Sequence, residues 1–108
     1  MTRHKLPIPC KEALSILGPP LFITSYEVDK LALVNKALAL EVKKSVNTGL
    51  LKARQDCVNL RCVGDYEVEC DEALIYTVDI KDVNNELLGK ELLIKALKAL
   101  GIDYMKRI

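Results

Sequence analysis

From Val58 to Ile80 the apolar residues crowd the even positions. Val58, Leu60, Cys62, Tyr66, Val68, Cys70, Leu74, Tyr76, Val78 and Ile80 alternate with mostly polar neighbours: Asn59, Arg61, Asp65, Glu67, Glu69, Asp71, Thr77 and Asp79. A period of two puts alternate side chains on opposite faces of a strand, whereas a helix would scatter them. Parity also limits the turns, because residues facing each other across a hairpin share a sheet face. A two-residue turn at Gly64-Asp65 would set Cys62 against Glu67 and bury the acid. A three-residue loop, Val63-Gly64-Asp65, pairs Cys62 with Tyr66, Leu60 with Val68 and Val58 with Cys70. Asp71-Glu72-Ala73, taken as a second such loop, pairs Val68 with Tyr76. Residues 57–80 therefore read as a three-stranded antiparallel meander with one apolar face.

The flanking segments carry helix signals. Residues 10–17 lie between Pro9, which suits a first helical position, and Gly18-Pro19-Pro20, which forbids continuation. Thr24-Ser25-Tyr26-Glu27 has capping-box spacing, and Ile23 can staple to Val28. Beyond it Val28, Leu31, Ala32, Leu38, Ala39, Val42 and Val46 share a face at helical period, and Asn47-Thr48-Gly49 closes the run. That predicts one helix over 25–46. Asn35 falls inside its apolar stripe, where it either bonds a backbone group or fixes register. A last helix over 86–100 has Asn84 or Asn85 as cap, Gly101 as stop and Leu88, Leu92, Leu93, Ala96, Leu97 and Leu100 as buried face. Gly89 points inward on that face, where a missing side chain lets the helix approach the sheet. Residues 102–108 read as a short edge strand or a frayed end. Helices laid on the apolar face of one antiparallel sheet make an α+β domain, expected to be a single one over residues 1–108.

Composition excludes several classes. Half of the 108 residues are hydrophobic and 29% are charged, a globular balance. Uninterrupted apolar runs stop at four residues, such as Leu31 to Val34, against the roughly 20 needed to cross a bilayer. Met1 does not lead into a signal-peptide pattern, so a cytoplasmic protein without a membrane partner is expected. A single Gln and abundant Lys, Glu, Ile and Leu lean towards a thermophilic source, although four Cys and five Asn count against it. Residues 1–55 hold nine bases against four acids; residues 56–80 hold Arg61 against seven acids. Charge runs of this kind are usually solvated faces that neutralise one another.

The residues that could carry chemistry are few. Cys10, Cys57, Cys62 and Cys70 contain no Cys-x-x-Cys spacing, so zinc ribbons and thioredoxin-like sites lack support. In the meander register Cys70 lies four residues beyond the partner of Cys62, roughly 13 Å away, which excludes a Cys62–Cys70 bridge. Cys62 and Cys70 are expected as buried free thiols; either Cys57, at an odd position, or Cys10, near a helix start, could be exposed. His4, the single histidine, lies in a basic N-terminal arm; a pairing with Cys10 has no geometry behind it. Glu67 and Glu69 share an open polar face, which lacks the pocket a catalytic acid needs. The five glycines are isolated, so no phosphate loop can be built. No catalytic residue, cofactor, metal or small-molecule substrate is expected.

Two surfaces remain. Leu33, Ala37 and Leu40 form a second apolar stripe on the long helix, and Leu87 and Ile94 another on the last. Both are seven-residue seams among charges, the pattern of a partner-facing patch. Lys36, Lys43, Lys44, Lys52 and Arg54 form a basic region that could grip a phosphate backbone. The expectation is a non-catalytic protein-interaction domain, self-associating or a small subunit of a larger assembly. The alternative is a nucleic-acid-binding protein using the basic residues 36–54.

Overall fold

The computed structural model describes residues 2–15, 21–78 and 83–104. It is α+β, as the sequence patterns require: an antiparallel four-stranded sheet with helices packed against it. In chain order the elements are β1 (Thr2–Lys5), α1 (Cys10–Ala13), β2 (Phe22–Thr24), α2 (Ser25–Val34), α3 (Lys36–Asn47), β3 (Leu51–Gly64), β4 (Glu67–Val78) and α4 (Val83–Ala99). β4 pairs with β3, with β1 along Glu67 to Cys70, and with β2 along Ile75 to Thr77. The chain folds into two compact units, Met1–Gly18 with Gln55–Ala73, and Pro19–Arg54 with Leu74–Ile108.

In the first unit the basic arm is a strand. β1 sets Arg3 opposite Glu69 and Lys5 opposite Glu67, cross-strand pairs of opposite charge that favour this register. The Leu6 and Cys10 amides then donate to the Tyr66 and Asp65 carbonyls, at 2.8 and 2.7 Å, tying the chain to the hairpin turn. α1 is shorter than the expected 10–17. Both the amide and the hydroxyl of Ser15 donate to the Glu12 carbonyl, at 3.2 and 2.7 Å, and end the helix. Residues 16 and 17 lie outside the described residues.

The alternating region is strand, but not three strands of a meander. The hairpin turn is the two-residue Asp65-Tyr66, not the loop 63–65. Parity does not forbid it, because Cys62 and Tyr66 are both exposed and nothing there demands a shared buried face. Nor does a loop form at 71–73; β4 runs through it. Asp71-Glu72-Ala73 offers neither glycine nor proline for a turn, and Asp71 is held from β3 by Arg61 at 3.7 Å and Asn59 at 3.4 Å. The buried positions instead change parity there, from Val68 and Cys70 to Ala73, Ile75 and Thr77. Val68 consequently faces His4 rather than Tyr76, and Tyr76 faces Ile23.

In the second unit the capping box is present: the Glu27 amide donates to the Thr24 hydroxyl at 3.2 Å and the Thr24 amide to the Glu27 carboxylate at 3.0 Å. Ile23 and Val28 are fully buried around it. The buried Thr77 hydroxyl donates to the Leu21 carbonyl at 2.7 Å. The helix expected over 25–46 is two helices. Asn35 ends α2 and caps α3, its side-chain carbonyl accepting the Leu38 amide at 3.1 Å. Gly49, at φ 81°, stands just beyond α3, as Gly101, at φ 73°, does beyond α4. α4 starts at Val83, so Asn84 and Asn85 lie within its first turn instead of capping it. Residues 79–82 lie outside the described residues.

Leu31, Leu38, Val42, Leu51, Leu93 and Leu97 anchor the core of this unit. Gly89 sits where the sequence places it: a Cβ there would lie 3.0 Å from the Leu50 carbonyl oxygen and 3.5 Å from Leu51 and Val78 side-chain carbons. Ile102 and Tyr104 pack against the core without forming a strand. Residues 105–108, the rest of the tail, lie outside the described residues.

Candidate functional site

Among the described residues, a cluster of potential metal-ligating side chains lies in the first unit, on three strands. β1 carries His4, β3 carries Cys57 and β4 carries Cys70. His4 faces Val68, and Val68 and Cys70 are two apart on β4, so His4 and Cys70 are diagonal neighbours on one face. The His4 Nε2 lies 3.5 Å from the Cys57 Sγ. The ligating atoms of His4, Cys57 and Cys70 all lie within 4.8 Å of one another. Cys70 is fully buried, Cys57 half-buried and His4 exposed, so the cluster opens to solvent on its histidine side.

No cysteine is a free thiol. Cys10 is bonded to Cys62 with Cα atoms 5.8 Å apart, and Cys57 to Cys70 with Cα atoms 5.3 Å apart. This overturns the expected buried free thiols, and Cys62, expected buried, is exposed; Cys10 is buried. The excluded pair, Cys62 with Cys70, is indeed unbonded. The parity rule hid the true partners by assigning Cys57 and Cys70 to opposite faces. Asn59, at φ 55°, breaks the alternation between Cys57 and Cys62. A left-handed residue inside a strand rotates the segment before it relative to the segment after it. The even number of cysteines was the available signal. His4 keeps company with Cys57, not with Cys10.

The second unit holds the two predicted surfaces. Leu33 is 88% exposed, Leu40 48% and Leu87 58%, and Ala37 is exposed. Ile94 is half-buried and packs against the core. The helix break at Asn35 puts Leu33 on α2 while Ala37 and Leu40 are on α3, so the seven-residue seam does not run along one helix. Ala37 and Leu40 line an open groove on α3 with Glu41, Lys44, Ser45 and Thr48. Both hydroxyls in that groove donate to the helix's own carbonyls, Ser45 to Glu41 at 2.7 Å and Thr48 to Ser45 at 3.1 Å. The groove therefore offers apolar area and charge rather than a nucleophile.

All five basic candidates are outside the core: Lys36, Lys43 and Lys44 on α3, Lys52 and Arg54 two apart on β3. Among the described residues no helix is long and apolar enough to cross a membrane. Comparison with family models, curated proteins and solved structures finds no match.

Proposed function

We propose that this chain is a non-catalytic interaction domain that associates with a second copy of itself through the outer face of α2 and α3. The observation that carries the reading is the exposure of large apolar side chains on both helices, Leu33 at 88% and Val34 at 69% on α2 and Leu40 at 48% on α3. Burying a leucine side chain stabilises by about 1.5–3 kcal/mol, and a two-fold contact counts each residue twice. A two-fold axis through Leu40 sets the α3 helices antiparallel, so Lys36 of one copy faces Lys44 of the other. These like charges oppose the contact, and salt screens them. Self-association should therefore strengthen as ionic strength rises.

A second reading rests on the five cations of residues 36–54, as a grip on a nucleic-acid backbone. Its salt dependence has the opposite sign, because binding releases counterions from the phosphates. Light scattering and nonspecific-DNA binding, each measured across a salt series, separate the two. A dimer that strengthens with salt, and becomes a folded monomer in Leu33→Glu/Leu40→Glu, supports self-association. A monomer at every concentration and salt overturns it.

Two disulfides suit an oxidising compartment, and also the cytoplasm of hyperthermophiles, whose intracellular proteins carry them. A cytoplasmic protein of a heat-adapted cell fits both the cysteine pairing and the Gln-poor, Lys- and Glu-rich composition.

A further inference from the structure

We propose that His4, Cys57 and Cys70 form a zinc site that is created when the Cys57–Cys70 disulfide is reduced and lost when it re-forms. The three residues come from three paired strands, and their ligating atoms already lie within 4.8 Å of one another. Tetrahedral zinc, with Zn–S of about 2.3 Å and Zn–N of about 2.0–2.1 Å, sets sulfur and nitrogen ligands about 3.5 Å apart. The His4 Nε2 and Cys57 Sγ stand at 3.5 Å. One edge of the coordination tetrahedron is thus in place while the sulfurs are still bonded to each other. The two sulfurs must part, to about 3.8 Å by the same geometry, and the His4 nitrogen and Cys70 sulfur, already within 4.8 Å, must settle at the nitrogen–sulfur spacing. Side-chain rotation can do this between strands whose Cα atoms are 5.3 Å apart.

The donor set selects the ion. Two thiolates and an imidazole are soft to borderline ligands, which suit zinc and reject magnesium and calcium. Three protein ligands leave a fourth position on the exposed side, beside His4, for water or an exogenous donor.

The chemistry balances with a dithiol reductant and a peroxide oxidant. Reduction breaks the Cys57–Cys70 bond: two electrons and two protons pass from the dithiol, which leaves as its own disulfide. Zinc binding then displaces one proton from each thiol. In reverse, hydrogen peroxide takes two electrons from the zinc-bound thiolates and two protons from solvent. The disulfide re-forms, two waters leave and the ion is released. The Cys10–Cys62 bond takes no part.

The test uses the full chain, reduced with an excess of a phosphine and titrated with cobalt(II), then zinc. One cobalt per chain should bind, with a thiolate-to-cobalt absorption of two-thiolate intensity that zinc abolishes. Oxidised protein should bind neither ion. His4→Ala should weaken zinc binding roughly tenfold or more, by removing one of three protein ligands. Cys10→Ser/Cys62→Ser should leave the cobalt spectrum unchanged; if that variant does not fold, the loss of affinity in His4→Ala makes the same distinction, because His4 stands beside Cys57 and Cys70. If reduction unfolds the first unit, restoration of its structure by zinc supports the site. Absence of metal binding after reduction, a four-thiolate spectrum, or binding indifferent to His4→Ala would overturn it.

Discussion

Replacing Gly89 by alanine sets two effects of known size against each other. In a helix interior alanine is favoured over glycine by about 1 kcal/mol, so on propensity alone the substitution stabilises α4. The new methyl, however, lies 3.0 Å from the Leu50 carbonyl oxygen, with Leu51 and Val78 carbons at 3.5 Å. That oxygen cannot easily yield. The Leu50 amide is bonded to the Ser45 carbonyl at 2.9 Å, and Leu51, next in the chain, is buried in β3. Forcing an extra carbon into such a contact costs about 1–3 kcal/mol. The steric term therefore wins, and Gly89→Ala should lose about 1 kcal/mol overall. In urea the midpoint should fall by roughly 0.5–1 M with the slope unchanged. A variant stabilised by the full propensity increment would show that α4 does not rest on the sheet at Gly89.

Val68→Asp should unfold the first unit, because it buries a charge at a 2%-exposed position, while Glu67→Ala on the half-buried neighbour should cost less than about 1 kcal/mol. Equal effects in a melt followed by circular dichroism would refute the assignment of faces. Asn35→Ala removes the acceptor of the Leu38 amide and should cost about 1 kcal/mol, as losses of an N-cap do. Asn35→Ser, which can cap in the same way, should restore most of it; an Asn35→Ala variant as stable as the parent would mean that α2 and α3 do not depend on this cap.

What the sequence made legible is what local rules govern. The Thr24–Glu27 capping box, the stop at Gly49, the inward Gly89 and the strand character of 57–80 as far as Val78 all arise from short-range sterics or periodicity. The break at Asn35 was half legible: the residue stood out in an apolar stripe, but the stripe kept its phase across the kink and so read as one helix. β1 and β2 are four and three residues long, too short for a period to register, and their places depend on pairing with a distant β4. The thiol–imidazole cluster was hidden for the same reason. Its members lie 53 and 13 residues apart in sequence, and parity set two of them on opposite faces because nothing in the pattern signalled the left-handed Asn59.

The two units also solve the stability problem by different means. In the second, large aliphatic side chains from three helices and the strands fill a core, and no cysteine contributes to it. In the first, the buried residues among those described are mostly small, Cys10, Ala13, Val58, Val68, Cys70 and Ala73, with no leucine, isoleucine or aromatic ring among them. So little apolar area offsets little chain entropy. The disulfides address the entropy directly. Their sequence separations of 52 and 13 residues correspond to loop-closure terms of about 4 and 3 kcal/mol in the chain-entropy account. The crossed order, first with third and second with fourth, binds α1, β3 and β4 into one covalent frame. A zinc ion held by His4, Cys57 and Cys70 would cross-link β1, β3 and β4 in place of one of those bonds. The first unit could thus exchange one cross-link for another as redox conditions change, while the core of the second depends on neither.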